Sequence, residues 1–255
     1  MGFDFSVQLF AVRDLFAKDA LSVFHQLKDL GYIGVEGYGP LSIPPDNLNN
    51  YLLETGLKLA GWHIPFELLL NDNLQPTIDY LKNINNKYVI VPWLSPEYSG
   101  NIDSWRRTAE KFNELSKILK NEGMTLGYHN HDFEFNTIDG KLLFTEFFDN
   151  TDPDIVVQMD NGNAMSGNGD VMTLIKKYPG RFKSVHLKPY SAKDGYSSII
   201  GEDDTDWKTL LHWYRDFGGT EHYIVEYEDE KTHPQIVGVE LCLKALKKME
   251  SSGKI

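Results

Sequence analysis

The sequence predicts a single (β/α)8 TIM barrel over residues 1–255, and three observations carry that expectation. Short apolar runs alternate with amphipathic helical stretches eight times within 255 residues. No two strand-like runs follow one another without a helix between them, as a parallel sheet requires. Eight such units close a barrel more readily than they fill an open doubly wound sheet. That rival, and a division into two small domains, lose further ground because Val12-Arg13-Asp14 stands where a dinucleotide fold carries Gly-x-Gly-x-x-Gly, and no low-complexity linker splits the chain.

In order, Phe5 to Phe10 reads as a strand, followed by a helix over Asp19 to Leu30 with apolar residues at helical spacing and Gly31 at its end. Ile33 to Glu36 is the second strand, and Pro44-Pro45-Asp46 starts a helix reaching Gly56. Leu57 to Trp62 precedes His63 and a helix over Leu74 to Ile84. Tyr88 to Val91 precedes the long helix Ser104 to Asn121, which Gly123 closes. Met124 to Tyr128 is the fifth strand, with a helix around Leu142 to Phe148. Ile155 to Met159 precedes Asp170 to Tyr178, Phe182 to Val185 precedes Asp206 to Phe217, and His222 to Val225 precedes a helix from Pro234 to Lys248.

Composition narrows the function. The formal charge of -12, from 37 acidic and 25 basic residues, disfavours nucleic acid and anionic lipid over most of the surface. Cys242 is the one cysteine, in an apolar helical pattern, so it reads as a core residue and neither a disulfide nor a thiolate metal site is expected. No stretch reaches the ~18 apolar residues of a membrane span, and Met1-Gly2-Phe3-Asp4-Phe5 lacks a basic and apolar leader, so a cytoplasmic protein is expected. P-loop and serine-hydrolase motifs are absent.

The chemistry lies at the strand ends. These carry Gln8, Glu36, His63, Trp93, the group His129-Asn130-His131-Asp132-Phe133-Glu134, Asp160, His186 and Glu226. Buried carboxylates and imidazoles are costly unless paired or bound to a cation, so their convergence on the catalytic face of a barrel points to a site. Glu134, Asp160, His186 and Glu226 come from strands five to eight. Three carboxylates and one imidazole make a hard environment suited to Mn2+, Mg2+ or Co2+, with Zn2+ less favoured.

Each residue also has an ordinary reading. Asp160 suits a turn in Asp160-Asn161-Gly162-Asn163, and His186 suits a core histidine. Glu228, Asp229 and Glu230 read as a solvated acidic run. Were the fifth strand to continue, His129, His131 and Phe133 would face one side and Asn130, Asp132 and Glu134 the other. Asp132 is then expected to be exposed, and His131 to bond a neighbouring loop or face substrate.

The runs Gly127-Tyr128-His129-Asn130-His131-Asp132-Phe133-Glu134-Phe135, Met159-Asp160-Asn161-Gly162-Asn163-Ala164, Val185-His186-Leu187-Lys188 and Ile224-Val225-Glu226, with Thr151-Asp152-Pro153, Tyr178-Pro179-Gly180-Arg181, Gly201-Glu202 and Asp206-Trp207, resemble the sugar phosphate isomerase/epimerase family of xylose-isomerase-like TIM barrels. The resemblance covers essentially the whole chain. It implies one divalent metal, often manganese, held by Glu, Asp, His and Glu of late strands, with two glutamates moving a proton beside a carbonyl. By position, Asp160, His186 and Glu226 match the last three ligands. The first is Glu134, or His129 where relatives carry Glu-Asn directly at the strand end. Two departures stand out: His186-Leu187-Lys188-Pro189 lacks the family's aspartate after lysine, and Gly201-Glu202-Asp203 replaces Gly-Glu-Gly.

The resemblance thus implies a metal-dependent isomerase or epimerase acting on a small keto sugar, with Glu134 and Glu226 catalytic. Glu36, His63, His129, His131, Asn163, Lys188 and Trp93 are expected to read the substrate, with Trp62 and Phe66 covering its apolar face. Rival readings are a lyase that eliminates across a keto-glycoside and a non-catalytic sugar-binding barrel. Neither nucleic acid nor membrane is an expected partner; a homo-oligomer is left open.

Overall fold

Tyr88-Val89-Ile90-Val91 is buried at every position, as a strand covered on both faces must be. Seven further segments join it. The computed structural model, which describes residues 2–255, contains β1 (Phe5–Gln8), β2 (Gly34–Tyr38), β3 (Lys58–His63), β4 (Tyr88–Val91), β5 (Thr125–His129), β6 (Thr137–Ile138), β7 (Lys141–Leu142), β8 (Val156–Asp160), β9 (Ser184–Leu187) and β10 (His222–Val225). All but β6 and β7 pair in parallel, in the closed order β1-β10-β9-β8-β5-β4-β3-β2. The predicted (β/α)8 barrel is therefore the fold. β6 and β7, an antiparallel hairpin between β5 and β8, were not foreseen.

Helices cover the barrel where apolar spacing predicted them. Helix Ile102–Asn121 starts with a capping box between Asn101 and Ser104 and buries Trp105, Phe112, Leu115 and Leu119 along one stripe. Its aromatic rings meet Tyr128 edge-on, Trp105 at 6.1 Å and Phe112 at 6.0 Å between centroids. Tyr128 thus faces the helices, and strand alternation turns the next residue, His129, into the barrel. Helix Gln235–Ser251 buries Cys242, whose thiol burial pushes up to about 12, in accord with a core role.

The barrel interior departs from the usual layers of branched aliphatic residues. Tyr88, Ile90 and Val156 form one small apolar cluster inside. Above it come Gln8, Glu36, His63, His129, Gln158, Ser184 and His186, all buried. Parallel register sets them side by side: Gln8 opposite Glu36, His129 opposite Gln158, Asp160 opposite His186. Gly61 makes room, since a Cβ there would lie 3.2 Å from both Glu36 Oε1 and Tyr88 Cβ. No helix among the described residues is long and apolar enough to cross a membrane.

Candidate metal centre and cleft

Four of the strand-end residues meet. His129, Asp160, His186 and Glu226 each present a ligand atom, all within 4.8 Å of one another, and all four are buried. Asp160 performs both roles that its sequence context allowed. It ends β8 and caps helix Asn161–Ser166, accepting from Asn163 N at 2.8 Å through Oδ1. Its other oxygen, Oδ2, is buried without a hydrogen-bond partner. Burial raises the Asp160 carboxyl to about 7, with Glu226 reinforcing the shift and Lys188 opposing it.

Lys188 stands beside the cluster, Nζ lying 3.8 Å from Asp160 Oδ2 and 3.8 Å from Glu226 Oε1, and donating to Glu228 Oε2 at 2.8 Å. The close approach of helix Asn161–Ser166 to this lysine needs Gly162, whose Cβ would lie 2.7 Å from Lys188 O. Burial opposes charge on Glu226, yet Lys188 and His186 hold its carboxyl well below the ordinary range. His186 touches carboxylates at both ring nitrogens, Nδ1 against Glu226 Oε2 and Nε2 against Glu36 Oε2 at 2.7 Å. Although burial works against its charged form, these two acids raise His186 to about 10.

Glu36 does not reach the cleft, contrary to its expected part in reading substrate. Gln8 Nε2 donates to it at 2.7 Å and Gln158 Nε2 at 2.7 Å, while His186 and His63 approach the same Oε2 at 2.7 and 3.1 Å. Burial would push this carboxyl up; the charges of His63 and His186 hold it well below the usual range instead. Its place is beneath the cluster, orienting imidazoles. Gln158 completes that layer, and the sequence reading missed it; the available signal was a polar residue alternating in phase with Asp160 along an otherwise apolar strand.

Glu134 lies elsewhere. The fifth strand stops at His129, and a 3-10 turn over Phe133–Phe135 carries Glu134 back to the helix side of the strand. There Tyr128 Oη donates to its Oε1 at 2.5 Å and His131 N to its Oε2 at 2.8 Å. The alternation drawn for a continued strand does not occur, and Glu134 is not among the four converging groups. Burial raises it to about 7, despite the hydrogen bond from Tyr128.

Over the cluster opens a cleft of about 270 Å³, lined by Gln8, Phe10, Tyr38, His63, Trp93, His129, His131, Glu226 and Glu228 among others. His63, His129, His131 and Trp93 were expected here. Trp93 is 49% exposed at the mouth, and His131 Nδ1 is buried without a partner. Asn163 is absent from this lining, its amide engaged with Asn130 O at 3.1 Å and Tyr196 Oη at 3.0 Å. Trp62 and Phe66 are also absent, both buried, Trp62 donating to Gly39 O. Glu228, read as solvated, instead borders the cleft and accepts from Lys188, and burial raises its carboxyl. Asp132 is exposed as expected.

The donor set fits a divalent cation. Two imidazoles and two carboxylates converge, one carboxylate oxygen is buried and unpartnered, and burial of such charge calls for a counter-cation.

Comparison with known proteins agrees with the fold and places the chain. Residues 24–249 match the family described as xylose isomerase-like TIM barrel. An inosose dehydratase of Clostridium perfringens is 26% identical over 175 residues, 61% of this chain and 57% of that protein. One of Geobacillus kaustophilus is 23% identical over 211 residues, 74% of this chain and 67% of its own length. The chain thus spans little more than half to two thirds of these curated relatives. Among solved structures, a sugar phosphate isomerase/epimerase of Parabacteroides distasonis superposes with a TM-score of 0.82 at 22% identity, covering 97% of this chain and 98% of its own. A D-psicose 3-epimerase of Clostridium cellulolyticum superposes at 0.69 with 12% identity, covering 99% of both chains. On the extent of the family match, this chain belongs to the xylose isomerase-like TIM barrels.

Proposed function

We propose that the protein is a metal-dependent enzyme that removes a proton beside the carbonyl of a keto sugar or keto-glycoside and then eliminates a substituent from the neighbouring carbon. The observation that carries this reading is the convergence of His129, Asp160, His186 and Glu226 beneath an open cleft, with Asp160 Oδ2 unpartnered. These four residues would hold the cation, with His129 in the place expected of Glu134. A divalent ion there would polarise the carbonyl and an adjacent hydroxyl and lower the cost of enediolate charge.

The protein's own groups supply the rest. Glu226 borders the cleft and is held ionised chiefly by Lys188, as a base must be. It takes the proton from the α-carbon, and that electron pair passes into the carbonyl oxygen as an enediolate. Re-formation of the carbonyl expels the oxygen substituent on the β-carbon, which leaves with a proton from Glu228, a carboxyl at the cleft that burial raises. Phe10, Tyr38 and Trp93 at the mouth offer apolar surface to the face of a bound sugar.

The acids at the site favour elimination over epimerisation. Two-carboxylate epimerisation needs a second acid on the reacting carbon, and Glu134 has both oxygens occupied by Tyr128 and His131 N. Similarity to proteins named inosose dehydratase supports the same choice. Isomerisation or epimerisation is the second reading, favoured by Glu228, a cleft carboxyl that burial raises and that could return a proton. Both readings share the first step.

The test is incubation of the metal-loaded protein with a panel of keto sugars and keto-glycosides in D2O. Elimination predicts products lighter by water or an aglycone, whereas epimerisation conserves mass apart from deuterium gained at the α-carbon. If no compound exchanges its α-proton, and Glu226→Gln leaves every observed conversion unchanged, the reading is wrong and a binding role without catalysis takes its place.

A further inference from the structure

We infer that His129 makes this a two-imidazole, two-carboxylate centre selecting nitrogen-preferring cations such as Zn2+ and Co2+ over Mg2+ and Mn2+, and that Glu36 and Gln158 are the positioning residues that impose it. The inference rests on the proposed function only in taking the cluster to hold a metal.

The carboxylate oxygens of Glu36 can only accept. Gln158 must therefore turn its amide nitrogen to Glu36 Oε1, 2.7 Å away, and that nitrogen also donates to Ser184 Oγ at 2.8 Å. The amide oxygen then faces two histidines, His63 Nε2 at 2.6 Å and His129 Nδ1 at 3.2 Å. An amide oxygen accepts but never donates, so His129 carries its proton on Nδ1 and its lone pair on Nε2. That lone pair lies 4.0 Å from Asp160 Oδ2, the buried oxygen that no donor reaches. Two acceptors facing each other in the dry interior repel unless a cation lies between them, and the Lys188 ammonium, 3.8 Å from Oδ2, donates to Glu228 instead.

Glu36 sets the second imidazole in the same way. It accepts from His186 Nε2 at 2.7 Å, so Nδ1, which donates to Glu226, is the nitrogen at which a cation would take the place of a proton. One carboxylate thus aims His186 directly and His129 through Gln158, and a hydrogen bond to the far ring nitrogen is what fixes a ligating imidazole's tautomer and orientation. The expectation of manganese followed from three carboxylates and one imidazole. The atoms that converge are two of each, and imidazole favours the later divalent metals where carboxylate suits magnesium and manganese.

Metal-free full-length protein provides the test. Competition titrations give Zn2+ and Mn2+ dissociation constants for the wild type, His129→Glu and Gln158→Leu. Pulsed EPR of the Mn2+-loaded wild type counts coupled imidazole nitrogens without any substitution. Two such nitrogens are expected, together with a fall of about tenfold or more in the Zn2+-over-Mn2+ preference of H129E and a loss of about tenfold in Zn2+ affinity for Q158L. A single coupled imidazole, or a preference unchanged in a folded H129E variant, overturns the inference while leaving the metal-dependent function standing. Should the wild type bind neither ion, both readings fall.

Discussion

The two mouths of the barrel are both charged and both concave, yet they differ in how the charge is satisfied. At the N-terminal mouth a cleft of about 320 Å³ is lined by Lys87, Lys120, Asp154, Arg181, Lys183 and Glu221 among others. Its charges are paired near water: Lys87 with Glu221 at 3.0 Å, Lys183 with Glu221 at 3.4 Å, and Lys120 with Asp154. Arg181 is buried there, but donates to Ile155 O at 3.0 Å, Phe148 O at 3.2 Å and Thr151 Oγ1 at 2.7 Å. Among the described residues that mouth leaves no charged side chain buried without a partner. The C-terminal mouth has the smaller cleft and leaves Asp160 Oδ2 and His131 Nδ1 buried and unpartnered. Buried titratable groups left without a hydrogen-bond partner, and not cleft size, distinguish the two mouths.

The sharpest way to break this contrast is at the cluster. Glu226→Gln and Asp160→Asn should each lower turnover at least ~10³-fold, equivalent to more than about 4 kcal/mol of barrier, and weaken metal binding in calorimetric titration. Retained metal affinity in both variants would remove the C-terminal mouth's special status. The opposite mouth should respond in stability alone. Arg181→Ala removes three hydrogen bonds from buried acceptors and should cost about 3–4 kcal/mol in urea unfolding, with metal affinity unchanged.

A pH experiment sharpens the place of Glu134. Its carboxyl, ordinarily near 4.5, is raised to about 7, so between these values the folded protein holds a proton that the unfolded chain has released. The resulting stability is fully present below about pH 4.5 and is lost as pH rises through about 7, by at most about 3 kcal/mol. Unfolding midpoints of metal-free protein across that window should fall with pH, and Glu134→Gln should flatten the fall. An unaltered slope in E134Q would show that Glu134 is not the group responsible. The smallest effect is expected from Lys87→Ala, whose half-exposed ion pair should contribute less than about 1 kcal/mol and leave catalysis untouched.

Much of this was legible in order along the chain. Asp19 marks the start of the first long helix and Tyr88 to Val91 a strand with its observed bounds, whereas the helix expected from Ser104 begins at Ile102, capped by Asn101. Asp160, His186 and Glu226 were identifiable because each ends an apolar run, and barrel geometry brings strand ends together. Glu134 was misplaced because the choice between a continued strand and a turn after His129 depends on Tyr128 facing the helices, where its hydroxyl finds that carboxyl. Glu228 was taken for solvent-facing because nothing local reveals that Lys188, 40 residues away, reaches it.

The sequence by itself determined the alternation of eight units, the helix caps and three of the four converging groups, since these rest on local periodicity and on backbone needs met by near neighbours. Tertiary structure decided the fourth member, the second layer of Glu36 and Gln158, and which mouth holds unsatisfied charge. Those depend on register between strands distant in sequence and on which lone pairs remain once every reachable donor has been assigned.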